Sequence, residues 1–108
     1  MAEALRELVR EGRAQIVGPI RQELLSGIRE EVSFRRLRDY LRGFDEPRLD
    51  VEDYEEADRM NNLCRSRGLA GSAVDFLICA VAHLRNSQVF TTDRDFSRYA
   101  KVLPLKLY

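Results

Sequence analysis

Four acidic side chains occupy positions where a carboxylate could do chemistry: Glu23, Asp75, Asp93 and Asp95. Asp75 is the sole charged residue in SAVDFLICAVA, from Ser72 to Ala82. An ionised group among apolar neighbours is costly to desolvate unless it is paired or binds a metal. The same spacing makes Ser72-Ala73-Val74-Asp75 a capping box, with Ser72 as N-cap and Asp75 at the third helical position. The two readings are compatible, because a helix dipole keeps a first-turn carboxylate ionised at the mouth of a cleft. Asp93 and Asp95 stand in TTDRDF, just after an apolar run. That is the carboxyl edge of a predicted strand, where open α/β sheets bind ligands. A helix cap at Asp93 and a first-turn acid at Asp95 are the structural alternative. Glu23 lies beside the apolar stripe of a predicted helix, and taken alone it reads as a surface residue. Brought together, these acids form an oxygen-rich cluster suited to Mg²⁺ or Mn²⁺ with several waters retained. Such ions activate water and offset charge on a phosphodiester.

Other chemistries find little support. The chain has one histidine, His83, which reads as a helix-end residue. It has no P-loop and no glycine-rich dinucleotide fingerprint. Cys64 and Cys79 show neither CxxC spacing nor a nearby histidine partner, so they suggest neither a zinc site nor a disulfide framework. Cys79 reads as core. A reducing, cytoplasmic setting is the expectation, and no signal-like or spanning apolar stretch argues otherwise.

The acids need elements to carry them. Leu5, Leu8 and Val9 predict a helix closed by Gly12. RAQIVG, residues 13–18, predicts a buried strand that feeds a helix with Pro19 in its first turn and Ile20, Leu24, Leu25 and Ile28 along one side. A further helix carries Phe34, Leu37, Leu41 and Phe44. Residues 51–67 predict a helix with Tyr54, Ala57, Asn61 and Cys64 on one face. Its opening acids, Glu52, Asp53, Glu55, Glu56 and Asp58, read as a solvated, dipole-favoured start. Gly68 ends it, and Gly71-Ser72 opens the most apolar helix of the chain. SQVFTT, residues 87–92, predicts a second buried strand; 93–102 a short helix; and 103–108 a strand-like tail. Strands alternating with helices imply an α/β domain with parallel pairing.

The 108 residues suffice for one domain with one core. At 44% hydrophobic and 33% charged, the composition fits a globular fold and not a disordered or membrane-spanning chain. Eighteen basic residues balance eighteen acidic ones, so net charge gives no reason to expect non-specific nucleic-acid or membrane binding. Sixteen of the cations are arginine, which suits bidentate phosphate contacts and equally reflects base composition in the gene. A helical DNA-binding regulator is disfavoured by the neutral balance and the two strand signals.

GLAGSAVDFLICAVA followed by QVFTTDRDFSRYAKVLPLKL resembles the C-terminal half of a PIN-domain ribonuclease, specifically a VapC-type toxin of a toxin–antitoxin pair. IVGPIRQELLSG resembles that family's strand and glutamate-bearing helix, with the glutamate at Glu23. The resemblance implies a three-layer α/β fold with a short, mostly parallel sheet flanked by helices. It implies a Mg²⁺- or Mn²⁺-dependent endoribonuclease cutting tRNA or rRNA, with Glu23, Asp75 and Asp93 catalytic and Asp95 joining them around the metal. It further implies a cognate antitoxin and a homodimer. Arg94 and Arg98, beside the acids, are candidates for RNA phosphate contacts, and solvated helix arginines otherwise. Family members begin with a central strand ending in an aspartate, whereas Met1-Ala2-Glu3 already reads as helix. The expectation is therefore a fragment or late-start form, a strand supplied by a partner, or a catalytically silent module that binds antitoxin or a full-length homologue.

Overall fold

The computed structural model describes residues 17–91 and 93–108. The predicted helix around Leu5 to Gly12 and residues 13–16 of the first predicted strand lie outside them. Val17 is extended, with φ −76° and ψ 148°, and caps the helix that follows.

The chain divides into two units, residues 1–48 and 49–108. In the first, α1 (Gly18–Leu25) starts with Pro19, whose missing N–H costs nothing in an opening turn. It ends three residues before Ile28, so the predicted stripe is cut short, and none of its residues is fully buried. Gly27, at φ +86°, turns the chain toward α2 (Glu31–Leu41). On α2 Phe34 and Leu37 are half-buried and Leu41 is 4% exposed, as expected, whereas Phe44, predicted on the same helix, lies beyond its end. Arg21 Nε donates to Glu46 Oε1 at 2.9 Å.

The second unit is built on α3 (Val51–Ser66) and α4 (Ala73–Leu84), which pack against each other. Asp50 and Asp53 form a full capping box at the start of α3: Asp53 N donates to Asp50 Oδ1 at 3.3 Å and Asp50 N to Asp53 Oδ2 at 2.8 Å. Gly68, at φ +78°, closes α3 in a Schellman turn, with Leu69 N bonded to the Cys64 carbonyl and Gly68 N to that of Arg65. The end of α4 repeats the device with Asn86 at φ 52°. There Ser87 N reaches the Ala82 carbonyl at 2.7 Å.

The buried face of α3 is Asp53, Ala57, Met60 and Cys64. The predicted face had Tyr54 and Asn61 in place of Asp53 and Met60; Tyr54 is in fact 53% exposed. The reading of the acidic opening as wholly solvated is likewise corrected at Asp53, which is 1% exposed. The reason is Arg85, which follows α4 and donates from Nη1 to Asp53 Oδ1 at 2.5 Å and from Nη2 to Oδ2 at 3.0 Å. These bonds, aided by the backbone N–H of Asp50, hold the Asp53 carboxyl down to about 2 against the cost of burial. The contact also sets the start of α3 beside the end of α4.

The predicted strands appear only in outline. Val89 pairs with Leu107 in an isolated parallel bridge, Val89 N donating to the Lys106 carbonyl at 2.8 Å and Tyr108 N to that of Val89 at 2.9 Å. The parallel sense agrees with expectation, but among the described residues the predicted sheet is not seen. A short helix, α5 (Asp95–Tyr99), joins the two stretches and is half the predicted length. Phe96, Tyr99 and Leu103 join Phe76, Leu77, Cys79, Ala80 and Val89 in the core.

Candidate metal centre

Asp75 is fixed from the backbone outward. Ser72 Oγ accepts from Asp75 N at 3.1 Å, closing the first turn of α4. The expected capping box is half built, because the Asp75 carboxylate serves elsewhere: its Oδ2 accepts a hydrogen bond from the Tyr99 hydroxyl at 2.8 Å. Desolvation, and then this bond to a carboxylate, push the Tyr99 phenol well above the usual tyrosine range. Tyr99 therefore remains a donor.

The other two acids are set by a turn that folds on itself. Asp93 N donates to Thr91 Oγ1 at 3.0 Å, and Asp95 N donates to Asp93 Oδ1 at 2.9 Å. This side-chain-to-backbone bond makes a turn that leads into α5, whose N-cap, Arg94, has no side-chain cap bond of its own. Arg98, one turn on, donates to Asp95 Oδ1 and raises no barrier to solvent, its side chain being 59% exposed.

The result is that Asp75, Asp93 and Asp95 each offer an oxygen within 4.8 Å of the others. Around Mg²⁺, with bonds of about 2.1 Å, neighbouring oxygens lie about 3 Å apart and opposite ones about 4.2 Å apart. Each carboxylate has two oxygens, of which the hydrogen bonds among described residues engage one: Oδ2 of Asp75, Oδ1 of Asp93 and Oδ1 of Asp95. Asp93 is exposed and the other two are half-buried, so the cluster is open to water on one side. Among the described residues Arg98 is the one ion-pair partner of the three carboxylates, which leaves an excess of negative charge there, and an all-oxygen donor set suits a hard divalent cation. The residues present fit such an ion.

Of the acids predicted from sequence, three converge. Glu23 is exposed on α1 in the first unit. Arg94 is exposed beside the cluster and Arg98 is held by Asp95. His83 is exposed in the last turn of α4. Cys64 and Cys79 are buried free thiols. Burial, reinforced by the charge of Asp75, pushes Cys79 up to about 12, which removes it as a nucleophile. Sequence reasoning missed Tyr99. The available signal was a tyrosine three residues after Phe96 on an apolar spacing, since a buried hydroxyl needs a partner.

A family model described as PIN domain matches residues 1–102. No curated protein matches the chain. Among the described residues, no helix is long and apolar enough to cross a membrane.

Proposed function

Because the chain belongs to the PIN-domain family, a family of nuclease-type and usually metal-dependent domains often found in toxin–antitoxin systems, we propose that it is a Mg²⁺- or Mn²⁺-dependent endoribonuclease. Its role would be that of a VapC-type toxin acting in the cytoplasm on structured RNA of the tRNA or rRNA class. A cognate antitoxin and a second copy of the chain are its proposed partners. The observation that carries this reading is the convergence of Asp75, Asp93 and Asp95 within 4.8 Å.

In this reading the three aspartates hold the ion, and Glu23 is the fourth acid that the resemblance assigns to the site. The ion supplies Lewis acidity, which eases deprotonation of water and offsets negative charge on a phosphodiester. The half-buried position of Asp75 at a helix start keeps its charge directed into the cluster. The exposure of Asp93 leaves room for a polymeric substrate. Arg94 and Arg98, close in sequence to Asp93 and Asp95, are the proposed contacts to RNA phosphates.

The test is cleavage of a mixed tRNA pool with Mn²⁺ by the parent chain and by Asp75→Asn. Cleavage by the parent, lost with EDTA and in a folded Asp75→Asn, is the expected result. Preserved cleavage in that variant contradicts the assignment. A parent that binds antitoxin yet never cuts RNA would instead identify a silent module.

A further inference from the structure

We infer that Tyr99 is the positioning residue of this metal centre, and that position 71 is glycine so that the Tyr99 hydroxyl can reach Asp75. This rests on the metal-binding reading above.

The phenol that donates to Asp75 Oδ2 at 2.8 Å belongs to a side chain with almost no freedom. Tyr99 is 1% exposed. Its ring lies 5.1 Å from that of Phe76 and meets Phe96 edge-on at 5.4 Å. Its backbone is fixed too, since the Tyr99 carbonyl accepts from Leu103 N at 2.7 Å and Val102 N at 3.0 Å. A donor held this firmly fixes the rotation of the carboxylate it binds. Outer partners that orient a metal-binding side chain matter to affinity about 10- to 100-fold when removed.

Gly71 supplies a second, independent observation. A Cβ built there would press on the Tyr99 hydroxyl, with Tyr99 Cζ at 2.8 Å and Phe76 Cε2 at 3.0 Å. The hydroxyl is the far end of a side chain, but a ring packed between Phe76 and Phe96 has nowhere to swing. Any side chain at position 71 therefore drives the phenol off Asp75. Gly71 is itself solvent-exposed and carries no positive φ, so neither burial nor backbone conformation accounts for the glycine.

The test is a Mn²⁺ titration by calorimetry of the parent, Tyr99→Phe, Gly71→Ala, the double variant and Asp75→Asn, each also melted in EDTA. The parent is expected to bind, Asp75→Asn to lose binding, and Tyr99→Phe to raise Kd about 10-fold. Gly71→Ala should raise Kd similarly on its own and add little once the hydroxyl is gone, because both changes remove one bond. A merely structural Tyr99 would lower the melting point in EDTA and leave Kd alone. Unchanged Kd in Tyr99→Phe, with the parent binding and Asp75→Asn not, overturns the inference and leaves the metal centre standing. A parent that does not bind Mn²⁺ overturns the metal centre itself.

Discussion

At the end of α4, Asp53 meets Arg85 through bonds of 2.5 and 3.0 Å and is 1% exposed; at the start of α4, Asp75 shares a 4.8 Å cluster with Asp93 and Asp95, open to solvent and answered, among the described residues, by Arg98. Both sites draw on first-turn aspartates, and both use a serine or aspartate cap. They differ in what neutralises the charge. Around Asp53 the protein supplies the cation, through two bonds from Arg85, and the backbone N–H of Asp50, so the charge is met from within. Around Asp75 the protein supplies a neutral phenol and orders the acids without cancelling them. A carboxylate satisfied internally is architecture; a set of carboxylates positioned but left in charge excess is a place for a cation.

The sharpest way to break this contrast is to remove Arg85. Arg85→Ala leaves Asp53 buried without its counter-charge, and breaking such a pair from one side costs about 3–5 kcal/mol. Urea unfolding should show that loss, while Mn²⁺ affinity in the protein that remains folded should match the parent. A change in Mn²⁺ affinity of the same size would mean the two ends of α4 are one coupled site.

Acid provides a second, gentler approach. The carboxyl of Asp53 lies at about 2 in the folded chain against 3.8 for an ordinary aspartate. Its contribution is therefore fully present above the unfolded value and is lost as pH falls from about 5 through about 2. The difference corresponds to about 2 kcal/mol. Asp53→Asn should flatten the fall in stability over that window in denaturant titrations; an unchanged profile would place the acid sensitivity elsewhere.

The smallest effect is expected at the rim of the cluster. Arg94→Ala should raise KM for RNA several-fold with kcat held, and reduce the salt dependence of binding by about 0.7–1 in log–log slope. A fall in kcat alone would move Arg94 from binding into the chemistry.

Much of the open site was legible in the sequence and almost none of the closed one. A single charge in an apolar helix marked Asp75, because desolvation makes such a residue conspicuous, and a place just after a strand signal marked Asp93 and Asp95. Asp53 was hidden among Glu52, Glu55, Glu56 and Asp58, where a helix dipole accounts for acids equally well. Its partner Arg85 is 32 residues away, and only the packing of α3 on α4 reveals the pair. The box formed with Asp50 was the one local clue. Helix positions followed from periodicity and from Gly68, while the exposed Tyr54 shows that tertiary pairing can turn a helix by one residue. The parallel sense of the Val89–Leu107 pairing was legible, but its extent was not, since strand length depends on neighbours that lie elsewhere in the chain. Tyr99 was not singled out in the sequence, because nothing local to SRYAK shows that its hydroxyl meets Asp75, 24 residues away.

The most direct test of the contrast is Mn²⁺-dependent melting of the parent, Asp93→Asn and Asp53→Asn. With Mn²⁺ at 100 times its Kd, binding contributes about 2.7 kcal/mol, or a melting point about 10 °C higher. The parent and Asp53→Asn should both show that rise from their own baselines, and Asp93→Asn should show little. Equal rises in all three, or none in the parent, would contradict the assignment of the cation to the Asp75, Asp93 and Asp95 cluster.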